Sequence, residues 1–243
     1  MASISKRVTF QVGAGAADER TLTLSSMSND GHLISIRPFV TPSKNEKSFP
    51  FEWGFACTSD GAKINKLDSK SMTIDFNFEF DTNVQLEKEN THRGVINTSW
   101  KTWDSGLVEE RGQVFPFGAE KEGVSFFELW QPIDPAEHRF VSIQSEPQAA
   151  SGARSVVLSL NNGQYRGLIV VVGIWIQGIL FKENDSSQES INFLRAIETP
   201  AGEWTYLIQF GPDFDKFPNS INVKQGSSVL AGSTSWTVIE SNL

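Results

Sequence analysis

Between Met72 and Asp81 five apolar side chains, Met72, Ile74, Phe76, Phe78 and Phe80, alternate one for one with Thr73, Asp75, Asn77, Glu79 and Asp81. Only an extended strand puts every second side chain on one face, so this stretch separates its aromatics from its carboxylates across a sheet. The same period of two runs through most of the chain. Val8, Phe10 and Val12 alternate with polar residues, as do Leu22 and Leu24, and Leu33 to Phe39 is another β-rich run. Turn residues such as Asn29-Asp30-Gly31 and Asp60-Gly61 bound these segments. Further strands are predicted over 51–58, 95–100, 106–110, 126–133, 140–144, 156–160, 168–181, 193–198, 204–210, 228–231 and 236–240. Many short strands at near-regular spacing describe an all-β barrel or sandwich. Helices are scarce. Ser187 to Ile197 can be drawn as a short capped amphipathic helix or as a strand around Phe193, and both readings stay open.

A chain of 243 residues is long enough for one large or two ordinary domains with a real core. Its 18 Phe and 7 Trp exclude a disordered tail. The single cysteine, Cys57, cannot form an intramolecular disulfide, and no Cys/His cluster has the spacing of a zinc site. A formal net charge of -8 opposes binding to the nucleic-acid backbone or to anionic lipid. The longest apolar run, Leu168 to Ile176, is far too short for a bilayer span, and the start of the chain has no secretory pattern. No membrane insertion and a cytoplasmic location are therefore expected.

The segment Ser145 to Arg154 is small, polar and aperiodic, with Pro147 and Gly152, which predicts a boundary between a first domain over 1–145 and a second over 146–243. The halves echo each other weakly in two competing registers. One lays Thr21-Leu-Thr-Leu-Ser and Leu33-Ile-Ser-Ile over Val156-Val-Leu-Ser-Leu and Leu168-Ile-Val-Val. The other lays His92-Arg-Gly-Val-Ile over Tyr165-Arg-Gly-Leu-Ile. Either predicts two similar antiparallel β-barrel units in tandem.

No catalytic constellation stands out. His32, His92 and His138 each fall in or beside a predicted turn, with no G-x-S-x-G elbow and no H-E-x-x-H pair. They read as exposed turn histidines. A small barrel can carry a haem on one proximal His, but nothing selects which, and no cofactor is assigned. Carboxylates crowd the first unit at Asp75, Glu79, Asp81, Glu109, Glu110, Glu120, Glu122 and Glu128. A pair with separated pKa values could act as acid and base, while alternation with apolar residues favours a solvated strand face. Cys57, in Phe55-Ala-Cys-Thr, reads as a small buried hydrophobe. The tryptophans fall about one per hairpin and serve to fill barrel interiors. Some could instead line an apolar pocket, and Phe76, Phe78, Trp100 and Trp175 are the candidates. The acidic, hydroxyl-rich loop Lys182 to Ser190 presents Ser186, with Glu183 three residues upstream, as a candidate phosphorylation site.

A set of spaced motifs adds a family. Phe10-Gln-Val-Gly, Thr21-Leu-Thr-Leu-Ser-Ser, Ile36-Arg-Pro-Phe, Phe49-Pro-Phe-Glu-Trp, Thr91-His-Arg-Gly, Trp103-Asp-Ser-Gly, Phe115-Pro-Phe-Gly-Ala, Glu128-Leu-Trp-Gln-Pro and Trp175-Ile-Gln-Gly together resemble the fungal Hri protein family. The matching motifs run to Trp236-Thr-Val-Ile-Glu, nearly the whole chain. The resemblance implies two consecutive lipocalin-like barrels, a place in the fungal cytosol and nucleus, and association with a casein kinase I homologue and a component of the endoplasmic-reticulum translocation machinery. It implies no enzymatic activity and transfers no site residue. The resulting expectation is a non-enzymatic interaction protein, with a carrier of a small hydrophobic ligand as the alternative. An open barrel edge would allow a homodimer.

Overall fold

Leu168 to Val172 is apolar at every position, and in the computed structural model all five side chains are fully buried. A strand with that pattern is covered on both faces. The structure describes residues 1–137, 152–221 and 223–243. Among these, the strands form two antiparallel sheets laid against each other.

The first sheet contains β1 (Ser3–Val12), β2 (Leu24–Met27), β3 (Leu33–Pro38), β4 (Phe51–Cys57), β5 (Ala62–Lys66), β6 (Ser71–Phe76), β7 (Phe80–Asp81), β8 (Ile96–Thr102), β9 (Val108–Val114) and β10 (Val124–Ile133). Their order is β5-β6-β8-β9-β10-β1-β2-β3-β4-β7. β4 passes into β5 through one 3-10 turn, Ser59–Gly61, although the two lie near opposite ends of that order. β6 passes into β7 just as briefly, and the Asn77 N–H donates to the Gly61 carbonyl. Such short links hold the two ends of the order near each other, so the sheet curls into a half-barrel. A single turn of helix, α1 (Thr82–Gln85), follows β7 and is capped by Asp81, whose carboxylate accepts from the Asn83 and Val84 N–H groups.

The second sheet holds β11 (Ser155–Asn161), β12 (Tyr165–Val172), β13 (Trp175–Lys182), β14 (Ile191–Glu198), β15 (Trp204–Phe210), β16 (Ser228–Ala231) and β17 (Thr234–Ser241) in the order β15-β14-β13-β12-β11-β17-β16. The two sheets share a plan: the first strand of each pairs with its last, β1 with β10 and β11 with β17. That plan equates β1 with β11, so the register laying Thr21-Leu-Thr-Leu-Ser over Val156-Val-Leu-Ser-Leu is displaced by one strand.

The all-β, two-barrel expectation holds. Two local readings change and one open reading is decided. Met72 to Asp81 is not one strand: it breaks over 77–79, so that Phe76 on β6 and Phe80 on β7 lie near opposite ends of the strand order. Residues 168–181 form a hairpin that turns at Gly173, where a positive φ of 60° suits a residue without Cβ. Ser187 to Ile197 resolves as a 3-10 turn leading into β14, because Phe193 and its alternate neighbours pack against the first sheet. The predicted strand 140–144, the 145/146 boundary and His138 lie outside the described residues.

Three apolar layers result. Between the sheets, Ile34, Ile36 and Ala56 of the first meet Leu168, Val170, Ile179 and Phe193 of the second. Phe51 and Phe193 sit 4.6 Å apart, and Phe80 and Phe181 5.7 Å apart, across this contact. Each fully buried side chain of this kind contributes roughly 1.5–3 kcal/mol. A buried polar seam runs through the same layer. The Arg195 guanidinium donates to the Leu22 and Ile36 carbonyls at 2.8 and 2.6 Å and to Gln177, which itself reaches Ser26 at 2.9 Å. Burial lowers the pKa of Arg195 to about 9. At the layer's edge Glu240 accepts from Ser28, Ser155 and the Asn29 N–H.

Candidate functional site: the cavity of the first barrel

The alternate faces of these strands point into the barrels, and the two interiors differ. The second is plugged. Trp236, fully buried, stacks 5.8 Å from Phe217, and its indole N–H donates to the Lys216 carbonyl at 2.7 Å. Gly167 and Gly178 leave room for those rings: a Cβ would stand 2.5 Å from Trp236 and 2.8 Å from Phe217. Val156, Leu158, Ile169 and Val171 complete a packed core.

The first interior is hollow, with a cavity of about 520 Å³. Its walls include Trp53, Phe55, Phe76, Phe78, Trp100 and Trp130. Several inward-facing apolar residues, Met72, Phe78 and Trp100 among them, keep accessible surface there that a filled core would have removed. The rings are mutually ordered, with Phe76 and Phe78 stacked at 5.4 Å and Trp100 and Trp130 stacked at 6.4 Å. A second hollow of about 660 Å³ lies on the outer face of the same sheet, lined by Thr73, Asp75, Asn97, Arg111 and Gln113. It is polar and open to solvent, whereas the inner one has the apolar walls of a ligand pocket.

A charge cluster closes one side of the inner cavity. β1 carries a bulge between Arg7 and Thr9, which turns both Arg7 and Phe10 inward, with the guanidinium 4.4 Å over the ring. Arg7 binds Glu128 at 2.7 Å, Glu52 at 2.8 Å and Glu19 at 2.6 Å. Burial opposes its charge, yet Glu128, Glu19 and Glu52 together raise its pKa above the ordinary value. Arg37 meets Glu128 end-on, Nη1 to Oε1 at 2.8 Å and Nη2 to Oε2 at 3.3 Å. The same guanidinium lies 5.1 Å from the Trp53 ring centroid and 5.0 Å from that of Phe55.

Glu110 and Glu128 face each other across β9 and β10, only 6% and 2% exposed. Glu110 accepts the Trp130 indole N–H at 2.9 Å. Burial, then the charge of Glu128, pushes its pKa well above the ordinary carboxylate range, against the opposing effect of Arg37. Glu128 is pushed up by burial but held below that range by Arg37 and Arg7. Asp81, raised by burial, accepts from Trp53 at 2.9 Å and joins the cavity wall.

Phe76, Phe78 and Trp100 therefore lie together on one cavity wall. Trp175 does not: it is fully buried between the sheets, its indole N–H donating to the Glu137 carbonyl at 3.0 Å. Asp75 and Glu79 sit on the outer side, as a solvated face requires, but Asp81 does not, since the break in the strand carries it to the cavity wall, and neither do Glu110 and Glu128. Their closure inside the barrel was missed, although Phe126-x-Glu128-x-Trp130 places that carboxylate in an aromatic row. Two histidines also depart from exposed turns. His32 is buried, which lowers its pKa, and its Nδ1 accepts from the Ser59 N–H at 3.1 Å. His92 borders the cavity and accepts from the Phe115 N–H at 2.9 Å. Cys57 is buried, which pushes its thiol up to about 12 and leaves it unreactive. Ser186 is exposed in a loop whose Asp185 carbonyl accepts from Gln85 of α1 at 2.8 Å. Among the described residues no three His, Cys, Asp or Glu side chains group as metal ligands, and no helix is long and apolar enough to cross a membrane.

This pair of joined barrels is found in known proteins. A family model described as Protein HRI1 matches residues 3–240. The chain belongs to the HRI1 family. The HRI1 protein of Lachancea thermotolerans is 55% identical over 245 residues, covering 100% of this chain and 94% of that one. The HRI1 protein of Saccharomyces cerevisiae is 50% identical over 242 residues, 99% of both chains. A crystal structure of an uncharacterized Saccharomyces cerevisiae protein superposes with a TM-score of 0.96 at 48% identity, covering all of both chains. The likeness to HRI1 proteins thus extends over the whole two-barrel unit.

Proposed function

We propose that this chain is a non-enzymatic carrier whose first barrel holds a small ligand with a largely apolar, aromatic-sized body. One observation carries the reading: inward-facing aromatics keep accessible surface in a cavity of about 520 Å³, while the sister barrel is plugged by Trp236 and Phe217. A hollow of that size falls within the roughly 300–1,000 Å³ of small-molecule sites. Maintaining it sacrifices packing that the second barrel keeps. Native mass spectrometry of protein from its fungal host, before and after denaturation, tests this. A small molecule released on unfolding is expected. A bare mass, together with no binding of added apolar aromatics, would overturn the carrier.

A second reading follows from the family resemblance: association with a casein kinase I homologue and a translocation component, in the cytosol and nucleus. The exposed acidic loop around Ser186 supports it. Phosphate transfer to Ser186 by casein kinase I, read by peptide mass spectrometry, and co-purification of the kinase are the expected outcomes. Loss of neither partner on deleting residues 183–187 would remove the loop from this role. The division into domains at 145/146 remains part of the same proposal.

A further inference from the structure

The strand register draws one line across the cavity wall. Trp100 is the cross-strand partner of Glu110, Glu110 of Glu128, and Glu128 of Phe10, running over β8, β9, β10 and β1. Trp130, two residues from Glu128, binds Glu110 and stacks on Trp100. A carboxyl group is thereby set beside two stacked indole rings at the edge of an apolar hollow.

Resting on the carrier reading, we propose that the ligand is an organic cation, an amine or quaternary ammonium with an apolar body, whose head sits against Glu110 and the Trp100 and Trp130 faces. Charge argues for this sign. Counted together with the ion pairs behind it, the cavity wall holds five carboxyl groups, Glu19, Glu52, Asp81, Glu110 and Glu128, against the two guanidiniums of Arg7 and Arg37. Arg7 stands behind it and is already matched by Glu19, Glu52 and Glu128. An anion would meet an excess of negative groups in a poorly solvated space, where unlike charges attract and like charges repel strongly. The aromatic wall is also suited to a cation, since Arg37 already lies over Trp53 and Phe55. Among the described residues no guanidinium or ammonium occupies the faces of Trp100 and Trp130. Glu110 is the group free to respond: Glu128 from β10 is held by two arginines, whereas among the described residues the hydrogen bond to Glu110 comes from the Trp130 N–H. An incoming cation favours the ionised carboxyl, so any proton held by Glu110 leaves to solvent. The remaining titratable group on the rim, His92, bonds the Phe115 N–H and the Val95 carbonyl.

Three probes of similar shape separate the possibilities: benzyltrimethylammonium, its neutral isostere neopentylbenzene, and phenylacetate, each titrated against tryptophan fluorescence and by calorimetry. The cation is expected to bind about tenfold more tightly than the neutral isostere at neutral pH. Its affinity rises with pH as Glu110 gives up its proton, while that of the neutral isostere stays level. In Glu110→Gln the cation loses its advantage over the neutral isostere and its pH dependence. Trp100→Leu weakens the cation more than the neutral probe, which tests the ring face separately. Equal or tighter binding of the neutral probe or of phenylacetate would overturn the cation and leave the carrier standing. So would a cation preference that survives Glu110→Gln. Failure of all three probes, with a bare native mass, would overturn both.

Discussion

Glu110 and Glu128 are direct cross-strand partners on β9 and β10, so two carboxyl groups, 6% and 2% exposed, are buried side by side in one wall. Burial and the neighbouring charge of Glu128 raise the pKa of Glu110, while Arg37 and Arg7, paired to Glu128, keep that of Glu128 low.

This pairing makes stability depend on pH with a defined sign. The folded-state pKa of Glu110 lies above its unfolded value, so the folded chain retains a proton that the unfolded chain releases. The stabilisation is complete below the ordinary carboxylate value and is lost as pH rises toward the folded pKa, at about 1.4 kcal/mol per pH unit. Urea denaturation of the wild type should show this fall from weakly acid to neutral pH, and Glu110→Gln should flatten it. Glu128, lowered, acts oppositely, and its contribution disappears only as pH drops below the carboxylate range.

Arg195 joins the sheets through the Leu22 and Ile36 carbonyls. Replacing it with Ala leaves both oxygens and Gln177 buried without that donor, a loss of about 3 kcal/mol or more. Arg195→Lys should recover only part, because one ammonium cannot reach all three acceptors with the geometry of a guanidinium. Chemical denaturation midpoints measure both.

Gly54 marks how closely the sheets approach. A Cβ there would fall on the Phe193 ring, which is fully buried and packed against Phe51 and Phe210. Gly54→Ala should therefore destabilise by roughly 1–3 kcal/mol. Adding Phe193→Leu should give back part of that loss, a coupling that a double-mutant cycle would report.

The layer between the sheets draws side chains from both, so the barrels should unfold together. Differential scanning calorimetry is expected to show a single transition whose van't Hoff and calorimetric enthalpies agree. Two resolved transitions would mean that the shared layer contributes little. Residues 146–243 expressed alone should expose the Leu168, Val170 and Phe193 face and aggregate.

Period-two patterning was enough to determine an all-β chain, because strand geometry alone assigns alternate residues to opposite faces. The turns at Asn29-Asp30-Gly31 and Asp60-Gly61, and the motifs that place the chain in the HRI1 family, were equally local. Alternation does not say which face meets water. Glu128 between Phe126 and Trp130 could have lain on a solvated sheet or inside a barrel, and only closure of the first sheet put it inside. Trp100 and Trp175 look alike in sequence, yet one lines a hollow and the other fills the layer between sheets. That difference is set by which strands the second sheet covers. Whether a barrel is empty or full depends on residues distant in the chain, such as Trp236 closing over Gly167, and contacts of that kind exist only once the chain has folded.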